Sequence, residues 1–229
     1  MITSRTNSIV KEIKKLEQKK YRQAYQVSLI YNDKVINEAL SAKQVVCLIT
    51  DQAMDVDCSQ LLVSSEILRY LHPHNHGDLL ALVKLNQPQP IATNKVLVLD
   101  HIQDPGNLGS MLRSACAFGI KDVVISEGCC DVDSHKVIVS SAGSIFKLNI
   151  NVCNLESYLQ NSNLPTIMSF LDEPASDSFP DKFNLVLGNE HHGIDQKLKQ
   201  YCDYNYLIPT CFESLNVSVA CGIMLAKLG

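Results

Sequence analysis

The chain has 229 residues, a formal net charge of −4, and 46% apolar residues. That length fits one large domain or two small ones and allows a real core. No apolar run approaches the ~18 residues of a membrane span and the N-terminus is polar, so neither a signal peptide nor a membrane partner is expected. The nine cysteines are scattered and odd in number, which points to reduced thiols in a cytoplasmic protein rather than a disulfide framework. A net negative charge argues against a generic nucleic-acid binder. The charge is uneven, however: the first 22 residues carry +5 and the remainder −9. A basic segment on an acidic body reads either as a local polyanion contact or as a solvated helix face.

Residues 3–20 read as a helix capped by Ser4 or Thr6, with Ile9, Ile13 and Leu16 as a narrow apolar stripe among lysines. Residues 25–31 alternate like a strand, 35–40 are helical, 45–50 form a buried strand, 65–71 a helix and 79–85 a strand. His72, His74 and His76 alternate in a polar, Pro-containing stretch that reads as a solvated loop rather than a metal site. Cys129-Cys130 with His135 lacks zinc-ligand spacing. Residues 86–94 hold two prolines among polar residues and read as an extended linker. The predicted organisation is a small α/β domain over 1–85, the linker 86–94 and a second α/β domain over 95–229.

In the second domain, apolar runs at 96–99, 123–126, 146–152, 166–171 and 185–187 alternate with helical segments at 108–118, 155–160 and 195–201. This is the pattern of a parallel sheet covered on both faces. Residues 206–208 suit a further strand, which Pro209 ends. The closing segment is helical, with Leu215, Val219, Ile223 and Ala226 on one face and Ser214 or Asn216 as cap.

Ligands of open parallel sheets sit beyond the carboxyl ends of the strands, and three of these ends are unusually polar. The first runs from Asp100 through Asp104-Pro105-Gly106-Asn107 to Arg113, with Asn107 and Arg113 expected to face one pocket. The second is Leu187-Gly188-Asn189-Glu190-His191-His192, and the third is Glu213 to Ser218. Phosphate-loop and dinucleotide glycine patterns are absent. The set contains no obvious nucleophile and base, and suits binding and orienting polar, phosphate-bearing ligands.

Asp-x-x-x-Asp-Pro-x-Asn-x-Gly-x-x-x-Arg followed by Ala-Phe-Gly, then Leu-Val-Leu-Gly-Asn-Glu, then Ile-Pro…Glu-Ser-Leu-Asn-Val-Ser-Val-Ala resembles the three ordered motifs of the SpoU (TrmH) family. These are RNA ribose 2′-O-methyltransferases of the SPOUT class. The N-terminal Ile-Thr-Ser-Arg-x-Asn and the small first domain resemble the family's substrate-binding domain. The resemblance implies a trefoil-knotted second domain, a homodimer through it, S-adenosylmethionine as cofactor, and ribosomal RNA or tRNA as substrate. It implies Leu187, Gly188, Ile208, Pro209 and Leu215 as cofactor contacts and Asn107, Arg113, Glu190, Ser214 and Asn216 as the catalytic set. Arg5, Lys14, Lys15, Lys19, Lys20 and Arg22 are the expected RNA contacts, and no metal is expected. Arginine's ordinary pKa above ~12 makes it a better phosphate clamp than a base.

Two departures stand out. His191 replaces the family's Gly after the second-motif Glu, and the loop between Pro209 and Ser214 is two residues shorter than usual. The shortened loop leaves a second reading, a relative that binds RNA but holds cofactor weakly.

Overall fold

The computed structural model describes residues 1–72, 79–211 and 215–228. In chain order the first elements are α1 (Ser8–Lys15), α2 (Lys19–Tyr25), β1 (Val27–Ile30), α3 (Asp33–Ser41), β2 (Val45–Thr50), β3 (Ser59–Leu62), α4 (Ser65–Leu71) and β4 (Leu79–Lys84). There follow β5 (Lys95–Leu99), α5 (Pro105–Ala117), β6 (Asp122–Ser126), α6 (His135–Ser140), β7 (Asn149–Cys153), α7 (Leu155–Asn161), β8 (Thr166–Met168), β9 (Phe183–Leu187), β10 (Tyr204–Asn205) and α8 (Val217–Leu228). The chain divides into two compact units, Met1–Asn86 with Asp133–Phe146, and Gln87–Val132 with Lys147–Gly229. The stretch Asp133–Phe146, read from sequence as part of the second domain, thus packs with the first unit.

In the first unit a sheet of order β1-β4-β2-β3 is antiparallel except for the parallel pair β2/β3. β3 escaped the sequence reading because it is half-polar and only partly covered. The lysine-rich start is two helices, not one. Asn7, rather than Ser4 or Thr6, caps α1 by accepting the Ile9 N–H at 2.9 Å. The buried stripe is Val10, Ile13 and Leu16, while Ile9 is exposed. Where α1 ends, its loose carbonyls need donors. The Arg22 guanidinium supplies them, donating to Leu16 O at 2.8 Å and Glu17 O at 2.9 Å. Arg22 is buried. Its expected role as an RNA contact is therefore corrected: it closes a helix end. His72 is buried too, its ring 4.7 Å from that of Tyr31, against the expectation of a solvated loop. His74 and His76 lie outside the described residues.

The second unit holds a six-stranded, fully parallel sheet of order β10-β8-β9-β5-β6-β7. β5 and β9 are its centre, which explains their near-continuous apolar runs. The expected strand over 206–208 is displaced: β10 is Tyr204–Asn205, and Tyr206 N still donates to Met168 O at 2.7 Å. The closing helix α8 packs through Cys221, Met224 and Leu225, not through the predicted face. Leu215, Val219 and Ile223 are instead 38%, 51% and 37% exposed. α8 is apolar on nearly every side, so periodicity does not choose its inner face. All nine cysteines are free. No helix among the described residues is long and apolar enough to cross a membrane.

The proline-containing stretch expected as a linker is held down within the second unit. Buried Asp122 accepts from Ala92 N at 3.1 Å, Thr93 N at 2.8 Å, Thr93 Oγ1 at 2.6 Å and Asn149 Nδ2 at 2.5 Å. Burial alone raises a carboxyl pKa, but these donors outweigh it and the Asp122 pKa is lowered. A depressed pKa contributes stability above the unfolded value of about 3.9, lost as pH falls through the native value. Asp122→Ala strands four donors and is expected to cost about 1–3 kcal/mol in denaturant unfolding at neutral pH. The amides of Ala92 and Thr93 are expected to exchange faster with solvent; unchanged exchange there would contradict the tie.

Candidate active site

Three segments of the second unit meet at the carboxyl edge of its sheet: the turn from β5 into α5, the turn after β9, and the entry to α8. Asp100 extends the β5–β9 ladder, its N–H donating to Leu187 O at 2.8 Å. Its side chain is 3% exposed, with Oδ2 accepting the Asp195 N–H at 2.9 Å and Oδ1 2.5 Å from His101 Nδ1. His101 has a left-handed backbone, φ +53°, a conformation that side-chain-bearing residues seldom adopt. Its N–H donates to Ser126 Oγ at 2.8 Å, and its carbonyl accepts from Asn189 Nδ2 at 2.8 Å. The ring lies against Gly128, where a Cβ would stand 2.2 Å from its Cδ2.

α5 is capped by Asp104, whose Oδ1 accepts the Asn107 N–H at 2.8 Å. Asn107 then projects into a directional chain of hydrogen bonds. Ser218 donates through N and Oγ to Asn216 Oδ1 at 2.9 and 2.6 Å. Asn216 Nδ2 donates to Asn107 Oδ1, and Asn107 Nδ2 to Glu190 Oε1, both at 3.0 Å. All three polar junctions thus end on one carboxylate. Burial pushes the Glu190 pKa up, but the Asn107 amide and the backbone N–H groups of Glu190, Asp104 and Gln103 outweigh it, so the pKa is lowered.

Gly188 serves the chain before any ligand. A Cβ there would lie 2.2 Å from the Gly193 carbonyl carbon, because Asn189 and Gly193 exchange backbone hydrogen bonds at 2.8 and 3.0 Å. Asn189 Oδ1 also accepts from His191 N and His192 N at 2.9 and 3.1 Å. The left-handed position of this turn falls on Gly193, φ +69°, so His191 needs no glycine's freedom.

Among the cavities on this edge, two adjoin. A polar cleft of about 910 Å³ is lined by Asp100, His101, Asn107, Asn189, Glu190 and Asn216 among others. Beside it, a pocket of about 290 Å³ is walled by Leu187, Gly188, Ile208, Leu215, Val217 and Ala220, with Ser169 and Thr210 as its hydroxyls. Asn189 to His191, Gly193 and Ile194 line both. Apolar walls, bare backbone at Gly188 and two hydroxyls fit an adenosine-bearing ligand whose reactive end reaches the cleft.

Of the expected catalytic set, the structure brings together Asn107, Glu190 and Asn216. Ser214 lies outside the described residues. Arg113 is exposed on α5 and lines neither cavity. Six residues past Asn107 put it about 9 Å along the helix and about 240° around it, so the expectation that both face one pocket is corrected. Of the expected cofactor contacts, Pro209 is exposed and does not line the pocket. In the first unit, Arg5 pairs with Glu66 at 2.9 Å, Lys14 with Glu17 at 2.6 Å and Lys15 with Glu12 at 2.7 Å. Lys20 lies 4.8 Å over the Tyr21 ring, and Lys19 is exposed. The sequence reading missed His101 and Asn189; an Asp-His pair directly after a buried parallel strand was the visible signal for the first.

The SpoU rRNA Methylase family model matches residues 94–226. Over 247 residues the chain is 31% identical to the 23S rRNA (guanosine(2553)-2′-O)-methyltransferase RlmP of Bacillus subtilis, with 99% of this chain and 98% of that protein covered. It is 37% identical over 139 residues to the 23S rRNA (guanosine-2′-O-)-methyltransferase RlmB of Xylella fastidiosa, covering 57% of this chain and 56% of that one. The crystal structure of an rRNA methyltransferase from Sinorhizobium meliloti aligns with TM-score 0.87 at 24% identity, over 99% of this chain and 96% of that one. An AdoMet-bound rRNA methyltransferase structure from the same organism gives 0.84.

The lowered Glu190 pKa fixes the sign of a pH effect. Its contribution is complete above the ordinary glutamate value of about 4.3 and is lost as pH falls through the depressed native value. Melting temperatures of wild type and Glu190→Gln are expected to differ at about pH 7 and to converge below about pH 4. A difference that persists at the acid end would show that the carboxylate does not hold the chain of amides.

Proposed function

The chain belongs to the SpoU rRNA methylase family, and from that we propose that it methylates a ribose 2′-hydroxyl of ribosomal RNA, with S-adenosylmethionine as donor. The observation that carries this reading is the Asn216–Asn107–Glu190 chain standing over a polar cleft that runs into an apolar pocket. S-adenosylmethionine supplies a methyl group activated on a sulfonium. Leu187, Gly188, Ile208 and Leu215 would hold it, and the amides would orient the ribose by hydrogen bonds to its hydroxyls. Ribosomal RNA is favoured over tRNA because the Bacillus subtilis relative, matched over nearly its whole length, is named for 23S rRNA.

Arg113 takes a role outside the cleft. Exposed on α5, it would clamp a phosphate of RNA leaving the site, where its planar fork matches phosphate oxygens. In the first unit, exposed Lys19 and Lys20 would add sequence-independent attraction, and Arg5, Lys14 and Lys15 less, being already paired. The same reading includes the trefoil knot, a cytoplasmic location that keeps the thiols reduced, and a homodimer. The exposed apolar side of α8 at Val219 and Ile223, with Phe118 41% exposed at the end of α5, supports the dimer.

Titration of S-adenosylhomocysteine by calorimetry, with mapping of 2′-O-methyl sites in ribosomal RNA from cells with and without the protein, tests the function. Saturable binding and one lost methyl site are expected. Binding of RNA without binding of S-adenosylhomocysteine would replace the enzyme by an RNA-binding protein. Arg113→Lys is expected to slow transfer about ten- to a thousandfold, about 1.4–4 kcal/mol of barrier, with S-adenosylhomocysteine affinity unchanged. Strong recovery of that variant at about pH 8–10 would mean the arginine is a base. Light scattering is expected to give a dimer at micromolar concentration and a monomer for Ile223→Asp; a wild-type monomer would remove the dimer.

A further inference from the structure

Resting on the reading of this chain as an enzyme that acts on RNA, we propose that the surface formed by α1, α2 and the end of α4 in the first unit is a stacking platform for unpaired RNA. The rings of Tyr21, Tyr25 and Tyr70 take bases, and the cations between them take phosphates.

The first helices are rich in lysine, but attraction of phosphate does not account for how that charge is arranged. Arg5, Lys14 and Lys15 are each paired with a carboxylate, Glu66, Glu17 and Glu12 respectively, so much of their pull on a distant phosphate is cancelled. A surface that served only to neutralise a duplex backbone would gain nothing from that pairing. What these cations share is a ring. The Arg5 guanidinium lies 5.1 Å and Lys14 Nζ 5.6 Å from the centre of the Tyr70 ring. Lys15 Nζ lies 5.4 Å and Lys20 Nζ 4.8 Å from the centre of the Tyr21 ring. Cations at such distances are drawn to the negative face of the ring.

The contacts form a continuous strip. Lys14 and Lys15 are neighbours in the last turn of α1, one reaching Tyr70 near the end of α4 and the other Tyr21 on α2. Tyr25 stands four residues after Tyr21, on the same side of α2. Its ring is 6.4 Å from that of Tyr21 and inclined to it by 19°. Basic and aromatic groups thus interleave from Arg5 across three helices, the pattern of surfaces that track a single strand.

Tyr25 carries the inference. Tyr21 and Tyr70 also pack against the core of the first unit, which accounts for part of their presence. Tyr25 is instead 47% exposed. Its hydroxyl donates to Glu12 Oε2, and the other oxygen of that carboxylate accepts from Lys15 Nζ at 2.7 Å. Glu12 therefore fixes one ring and one ammonium side by side. A ring already held in place loses little freedom on receiving a base, and the ammonium beside it can meet the adjoining phosphate. Stacking of this kind is tolerant of sequence, because every base has a π-face. It does require bases free of a partner. An A-form duplex hides the faces of its bases and offers sugars, phosphates and groove edges, so rings of this kind select loops, bulges and ends.

The test uses the full chain and two probes, an oligouridine of about twelve nucleotides and an RNA duplex of the same length. Fluorescence anisotropy is expected to show the single strand bound about tenfold or more tightly than the duplex at equal salt. Tyr25→Leu keeps apolar bulk at a surface position and removes the ring. It is expected to weaken oligouridine binding about 5- to 150-fold, with duplex binding unchanged. The slope of log affinity against log salt is expected to stay at the wild-type value, since no phosphate contact is removed. Tyr25→Phe, which keeps the ring and loses only the bond to Glu12, is expected to fall much less. The chain contains no tryptophan, so Tyr25→Trp installs a single indole whose emission the oligouridine is expected to quench and the duplex to leave alone. Equal or tighter binding of the duplex, an oligouridine affinity unmoved by Tyr25→Leu, a flatter salt slope in that variant, or an unquenched indole would each overturn the proposal. A wild-type chain that methylates ribosomal RNA but binds neither probe would overturn it too, and leave the methyltransferase reading intact. A chain that binds oligouridine through Tyr25 but transfers no methyl group would overturn that reading and leave the stacking surface standing.

Discussion

The buried carboxylate of Asp100 holds the carboxyl edge of the second unit's sheet together. Its backbone N–H locks the end of β5 to the end of β9, one oxygen receives the chain where it leaves the turn at Asp195, and the other holds the His101 ring. A carboxylate this deep is tolerable only with such donors, since an unpaired buried charge is expensive. The donors come from segments about 95 positions apart in sequence, as the Asp195 bond shows. The same residue that closes the edge therefore also sets the shape of the cleft.

Above that base, a chain of amides stands beside a pocket with aliphatic walls, and Asn189 to His191, Gly193 and Ile194 line both cavities. The amide chain from Ser218 to Glu190 fixes polar groups in one direction, whereas the neighbouring pocket is walled by Leu187, Ile208 and Leu215. A hydrogen-bond chain in which each amide is both donor and acceptor cannot easily reorient one member alone. Gly188 joins the two regions by letting the turn after β9 fold back on its own backbone. Glycine at that point answers first to the chain's geometry and only then to a ligand.

The central strands were legible because β5 and β9, buried on both faces, carry uninterrupted apolar runs. Asn107, Glu190 and Asn216 were legible because polar residues crowd strand ends where a core strand would not put them. Strand order was not, since β9 joins β5 and β8 through contacts that no local pattern records. The inner face of α8 was misread for want of contrast around the helix. Arg22 was misread for the opposite reason: its charge suggested solvent, but its guanidinium covers carbonyls that only the helix break exposes. The Asp100–His101 pair is adjacent in sequence, yet its meaning depends on burial of the carboxylate and on the left-handed turn.

The contact between His101 and Gly128 also constrains how this edge can vary. A methyl group at position 128 would overlap the imidazole at 2.2 Å, so a larger residue there is tolerated only after the ring has been lost or displaced. The reverse change meets no such barrier, because a smaller residue at 101 leaves Gly128 uncovered. Substitutions at the two positions are therefore non-additive, and one order of mutation is open while the other passes through a damaged intermediate. A bulky residue at 128 opposite an intact histidine therefore requires the ring to leave its present position against the backbone.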